Sequence, residues 1–328
     1  MPARRLVRLC FRRFRMCCVA IGCSAITATS WAQVLVVLSD DTTSYQEVAA
    51  EMQAELKSLR EGRLRIDVVT AERVPGIDDP LLKGHELVVT VGLSAAQAVL
   101  TRERALATPP FTLCLMIPRQ AYERIAPSRA GGRERRVSAV FIDQPLSRQL
   151  QLIRTALPGA HRVGVVFGPS SILVKDELGE RARERDLVLK SAEVTSAAGV
   201  YGALQSLLPE SDVLLAIPDP VAVNASTIYG LLLTSYRAQV PVVGFSEGLV
   251  KAGALLGLFS TASQQGKQGA EIATRILAGD GGLPAPQYPK YFTVRANYSV
   301  ARSLGLRLEE EAALAATLAP RGESGKSP

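Results

Sequence analysis

The sequence predicts an α/β protein made of two doubly wound, parallel-sheet lobes of Rossmann-like build, joined by a hinge. Three observations predict it. Short β-branched apolar runs recur along the chain with helical segments between them. Their starts lie mostly 22 to 30 residues apart, the length of one strand and its crossover helix. The roughly 295 residues that follow the first 32 also exceed what a single hydrophobic core usually fills.

The chain opens with a leader. Arg4, Arg5, Arg8, Arg12, Arg13 and Arg15 crowd the first 15 residues without an acid. An apolar run follows over 16–28 and ends in Ser30-Trp31-Ala32. A basic segment, a short apolar core and small residues before a cut are the parts of a secretory signal peptide, expected here over 1–32. The run is shorter than the roughly 20 apolar residues of a spanning helix, and the periplasm is the expected compartment. Ala20-Ile21-Gly22-Cys23 offers a second processing route, as a lipoprotein anchored through Cys23.

Strands of the first half are expected over 34–38, 64–69, 86–91, 111–117 and 137–142. Tyr45, Val48, Ala49, Met52, Leu56 and Leu59 keep the spacing of one helix face behind the first strand. Segment 143–147 reads as the first crossing between lobes. Leu146, Leu150, Ile153 and Leu157 repeat the helical period until Pro158-Gly159 stops it. Strands of the second half follow over 162–167, 187–194, 212–217, 240–243 and 254–259. A helix to Leu277, a Gly/Pro-rich passage over 279–289, a strand over 291–295 and a short helix ending at Gly305 read as the chain passing back between lobes. The expected division is 33–143 with about 260–285 in the first lobe, 144–259 with about 286–308 in the second, and a tail over 309–328, helical over 309–318 and fraying beyond.

Charge and cysteine usage follow from the leader. The formal charge of +7 falls to +1 once its six arginines are set aside, which gives no electrostatic case for nucleic acid. The Arg-rich stretch 133–136 reads as a solvated loop. Four of the five cysteines (Cys10, Cys17, Cys18 and Cys23) leave with the leader, and Cys114 sits in an apolar run as a small buried hydrophobe. No Cys/His cluster has metal-ligand spacing, and no Gly-rich loop fits a nucleotide fingerprint, so no cofactor is expected.

Several runs carry a resemblance. Pro241-Val242-Val243-Gly244-Phe245-Ser246, Val250-Lys251-Ala252-Gly253-Ala254-Leu255, Gly266-Lys267-Gln268-Gly269-Ala270 and Leu304-Gly305-Leu306 are similar to the periplasmic substrate-binding proteins of ABC transporters, of the type with tryptophan-binding members. Leu157-Pro158-Gly159-Ala160-His161-Arg162 extends the likeness. The resemblance implies a type I periplasmic binding protein fold, a monomer that takes a small-molecule ligand such as an amino acid or other small anion, and a membrane permease as partner. A periplasmic sensor or adaptor of the same fold, feeding a receptor, is the alternative. Asp219 matches an acidic position of that pattern. Ile117-Pro118-Arg119 departs from it where an Asp-Pro is usual, and 260–265 (Ser-Thr-Ala-Ser-Gln-Gln) departs where acidic and aromatic residues are usual.

Ligands of open α/β sheets bind outside the carboxyl ends of the strands, near helix N-termini. That rule places Ser39, Asp40, Thr42, Tyr45, Gly92 and Ser94 on the first lobe's rim, and Gly168, Ser170, Ser171, Asp219 and Ser246 on the second's. Ser94, Ser170 or Ser171 would hold an anionic group and Asp219 would face an amine or hydroxyls. The same residue types are also the ordinary caps of helices. Gly244-Phe245-Ser246-Glu247-Gly248 spells a nucleophile elbow, which would make Ser246 a hydrolase serine. The only histidines, His85 and His161, precede it, and a serine without a base has no ordinary route to activation.

Overall fold

The computed structural model describes residues 32–59, 64–74, 82, 84–104, 106–126 and 135–318. Residues 1–31 of the expected leader with Cys23, and Arg133, Glu134 and the last ten residues of the tail, lie outside the described residues.

The first sheet has the order β2-β1-β3-β4-β5, every pairing parallel. Its strands are β1 (Ala32–Leu38), β2 (Leu64–Thr70), β3 (Leu87–Val91), β4 (Phe111–Ile117) and β5 (Val137–Phe141). Parallel strands covered on both faces need apolar side chains on both, and all of Leu87–Val91 is buried. Helix α1 (Thr43–Leu59) covers one face, burying Val48, Ala49, Met52 and Leu56 as its spacing predicts. Helices α2 (Leu93–Glu103) and α3 (Arg119–Ile125) continue the winding.

The second sheet runs β11-β10-β9-β8-β6-β7. It contains β6 (Arg162–Phe167), β7 (Val188–Glu193), β8 (Val213–Leu215), β9 (Val242–Gly244), β10 (Leu256–Phe259) and β11 (Thr293–Ala296). All pairings are parallel except that of β11 with β10. Its helices are α4 (Leu146–Ala156), α5 (Lys175–Arg183), α6 (Val200–Leu207), α7 (Ile228–Arg237) and α8 (Glu247–Ala252). Edge strand β7 shows its limit in the sequence: Val188 is exposed, and none of its residues is buried. Every strand read from the sequence is present, within two residues at each end.

After β10 the chain returns to the first lobe as α9 (Ala262–Leu277), which packs along α1. Two glycines permit that approach. A Cβ on Gly266 would stand 2.6 Å from the Val48 carbonyl oxygen, and one on Gly269 would stand 2.6 Å from Leu115. Thr261 and Gln264 close a reciprocal capping box at the start of α9. The chain then crosses again to form β11, α10 (Tyr298–Ser303) and α11 (Glu311–Thr317).

Three crossings therefore join the lobes, and amide side chains stitch them together. Gln144 Nε2 donates to Ser260 Oγ at 2.9 Å, and that hydroxyl donates to the Tyr291 carbonyl at 2.6 Å. Gln265 Nε2 donates to the Phe141 carbonyl, and the Lys290 N–H donates to Gln268 Oε1. Arg148 bonds Gln144 Oε1 and the Pro289 carbonyl while lying over the Phe292 ring. The polar stretch 260–265 thus belongs to the crossings, where backbone groups leaving a sheet need partners.

Candidate functional site

A cleft of about 580 Å³ opens between the two sheets at the carboxyl ends of their strands. The first lobe contributes Leu93, Pro118, Arg119, Gln120, Ala121 and Arg124. The crossings contribute Ile142, Asp143, Gln144, Leu146 and Tyr288. The second lobe brings Val174, Ile217, Val223, Phe245 and Leu258, together with Ser170, Ser171, Asp219 and Ser246. Most of the lining's surface is apolar, with polar and ionic side chains set into it, the usual make-up of a small-molecule site.

Local backbone geometry sets the first wall. Met116 has φ 51°, a left-handed conformation uncommon outside glycine, and the β4–β5 register shifts at the same place. The bend ends β4 at Ile117 and lets Pro118 start α3 directly at the cleft. Asp143, just beyond β5, accepts the Arg119 N–H at 2.6 Å. Burial pushes the Asp143 carboxyl above its ordinary range, against the pull of the backbone N–H groups and of the Arg119 cation.

Arg119 links three parts of the molecule. Its Nε pairs with Glu123 at 2.9 Å on the same helix. Its Nη1 reaches Glu177 on α5 of the second lobe at 3.2 Å and donates to the Tyr288 hydroxyl at 2.8 Å. Burial lowers the proton affinity of the guanidinium, but these partners outweigh it and hold the charge firmly.

On the second wall the residues expected to meet ligand are largely committed to the chain itself. Asp219 is buried, and its carboxylate accepts four backbone N–H bonds: Ser170 and Ser171 on Oδ2, Val221 and Ala222 on Oδ1, all between 2.8 and 3.0 Å. Burial alone would raise its pKa, but these donors outweigh burial and hold it below the usual carboxylate value. Its observed work is to fasten the β6 loop to the β8 loop, not to offer a free oxygen. Gly168 makes room for it, since a Cβ there would lie 2.1 Å from Asp219 Oδ1. Ser171 Oγ accepts the Gly168 N–H at 2.9 Å, and Ser246 Oγ accepts the Leu249 N–H at 3.2 Å as the cap of α8.

Of the eleven candidates, Ser170, Ser171, Asp219 and Ser246 line the cleft. Ser39, Asp40, Thr42, Tyr45, Gly92, Ser94 and Gly168 do not. Ser39 and Tyr45 gather over Gly92, where a Cβ would meet Ser39 Oγ at 2.5 Å and the Tyr45 ring at 2.8 Å. Ser39 Oγ accepts the Ala95 N–H at the start of α2, and Asp40 accepts the Thr42 N–H. Ser94 is exposed outside the cleft lining. Capping accounts for Ser39 and Ser246, and Asp40 closes a turn onto Thr42 just before α1; a short polar side chain beside a helix start finds a nearby N–H before any ligand does.

Arg119, Gln120, Arg124, Asp143 and Tyr288 were not among the candidates. The one signal for the first three was the Pro118-Arg119 departure, and Tyr288 lay in a passage without periodicity. Neither histidine stands beside the elbow at Gly244–Gly248: His85 pairs with Asp67 at 3.2 Å just before β3, and His161 just precedes β6, both at the amino ends of the strands. Lys251 is paired with Glu247 at 3.0 Å. Among the described residues no group of three or more His, Cys, Asp or Glu is placed to hold a metal, and no helix is long and apolar enough to cross a membrane.

Two mostly parallel α/β sheets facing one another across a cleft, with three crossings between them, define the class of two-lobed binding proteins. The family model described as ABC transporter substrate binding protein matches residues 133–318, more than half of the chain, and the chain belongs to that family. A tyrosine-binding protein of Clostridioides difficile is 25% identical over 137 residues, which are 41% of this chain and 39% of that relative, so the match spans well under half of its length. Among solved structures, a ligand-free, open substrate-binding protein with adhesive properties from Clostridium difficile gives a TM-score of 0.70 at 18% identity, over 85% of this chain and 96% of that one. A conserved domain protein of Vibrio cholerae gives 0.60 at 23% identity, over 88% and 98%. A domain from Streptococcus pneumonia in complex with L-Trp gives 0.59 at 18% identity, over 86% and 97%. At these identities the likeness to solved structures is one of fold.

Proposed function

We propose that this protein is a solute-binding protein of the periplasm: it captures a small organic molecule between its lobes, without catalysis, and delivers it to the permease of an ABC transporter. The observation that carries this reading is the mostly apolar cleft, lined from both lobes and bounded by the crossings that join them. Contacts made to both lobes at once favour the closed state over the open one, so ligand binding becomes hinge closure. The lobes divide at 143–144, with about 260–285 returned to the first and about 286–308 to the second. The packing of α9 on α1 and the pairing of β11 with β10 support that division. A leader over 1–32 would export the chain, which would work as a monomer.

A thermal-shift screen of the purified protein against amino acids, organic acids, nucleosides and sugars tests the reading. A true ligand at ~100 times its Kd adds about 2.7 kcal/mol of stability and raises the melting temperature in proportion to dose. Failure of every class to stabilise the fold contradicts it. Absence of esterase turnover in both the protein and its Ser246→Ala variant agrees with a binding role, and turnover lost on that substitution contradicts it.

A further inference from the structure

Resting on that reading, we infer that the cleft selects an organic carboxylate with an apolar body and without an α-ammonium group, and that Arg124 with Gln120 receives the carboxylate. Four ionic side chains line the cleft: Arg119, Arg124, Asp143 and Asp219. An incoming ammonium leaves water, and the partner that best replaces its hydration is a carboxylate with acceptor capacity to spare. Asp219 has none to give, because four backbone N–H groups already occupy both its oxygens. Asp143 is bound to the Arg119 N–H and to its own backbone N–H, and stands in the field of the Arg119 cation. A second cation placed there would meet repulsion from Arg119 and Arg124.

The cations are arranged the other way. Arg119 is held by Glu123, Glu177 and Tyr288. Arg124 lines the cleft, is exposed, and makes no hydrogen bond or ion pair among the described residues. Gln120 lies one turn before it on α3, and at i, i+4 spacing the two side chains share a helix face. A guanidinium beside a carboxamide offers several N–H donors from one side, the recognition geometry of a carboxylate. Phe245, Ile217 and Val223 from the second lobe, with Leu93 from the first, supply the apolar surface for the rest of the molecule.

Three probes that share one body separate the alternatives: 3-phenylpropionate, L-phenylalanine and the neutral 3-phenylpropanamide, titrated calorimetrically into the purified protein. The expected order places 3-phenylpropionate first, with both others weaker by roughly tenfold or more. Arg124→Gln should weaken 3-phenylpropionate by roughly tenfold or more while leaving the melting temperature of the ligand-free protein in place, because that side chain is exposed and makes no hydrogen bond or ion pair among the described residues. Binding of L-phenylalanine equal to or tighter than 3-phenylpropionate overturns the inference, as does an unaltered affinity in Arg124→Gln. Binding of none of the three also overturns it. If a sugar or nucleoside then stabilises the protein in the wider screen, the solute-binding reading stands and only the ligand class falls.

Discussion

The guanidinium of Arg119, on the first lobe, lies 3.2 Å from the carboxylate of Glu177, on the second. Both side chains keep about a third of their surface in solvent, so the pair contributes at most about 1 kcal/mol. It is an ion pair that joins the two lobes directly. Glu177→Gln should therefore widen the ligand-free molecule, shifting the open-to-closed ratio by up to roughly fivefold. Small-angle scattering of the ligand-free protein reads this as a larger radius of gyration. Raised salt should imitate the substitution in the parent protein and have little further effect in the variant. An unchanged scattering profile would mean that the pair does not restrain the lobes.

Asp219 and Gly168 make a second testable unit. Asp219→Ala leaves four loop N–H groups without their acceptor and should cost about 1–3 kcal/mol, measured by urea unfolding. Gly168→Ala drives a methyl group into the same carboxylate and should cost a similar amount. The double variant should cost clearly less than the two separate losses added, since both break one network. Additive losses would show that the two residues act independently.

A buried acid gives the fold a pH dependence of its own. Glu103 is buried with the Thr112 hydroxyl as its bonded partner, and burial, opposed by that hydrogen bond, raises its carboxyl from 4.5 to about 7. Below the ordinary value both folded and unfolded states hold the proton, and no stability is lost. Between 4.5 and about 7 the unfolded chain ionises while the folded one stays protonated, so stability falls as pH rises. Above about 7 the full penalty, on the order of 3 kcal/mol, is in place. Glu103→Gln keeps an acceptor for Thr112 and has nothing to ionise. Its advantage over the parent should grow through that window and then level off, as followed by urea unfolding at several pH values. A constant difference across the window would contradict the account.

How much of this was legible in the chain differs between scaffold and site. Runs such as 86–91 and 162–167 announced buried parallel strands because both faces of such a strand must be apolar. The glycines and amides of α9 were legible as a helix, but their purpose was not. Gly266 and Gly269 answer to Val48 and Leu115, more than 150 positions away in the sequence. Ser39, Asp40 and Ser246 stand at strand ends, yet Ser39 Oγ accepts the Ala95 N–H of α2, Asp40 closes a turn on the Thr42 N–H just before α1, and Ser246 caps α8. Arg124 and Gln120 were passed over because they sit on a seven-residue helix, too short to show a period, behind a bend at Met116 that no residue preference foretells.

Closure of the two lobes around a bound solute is read most directly as an inter-lobe distance. Fluorophores carried by unnatural amino acids at Ser94 and Leu173, exposed positions on opposite lobes, report that distance by energy transfer. On titration with the compound that gives the largest thermal shift, transfer efficiency should change towards a shorter distance and saturate at the same concentration as binding. Saturable binding with an unaltered distance distribution would show that the solute sits elsewhere, or that the lobes do not move to hold it.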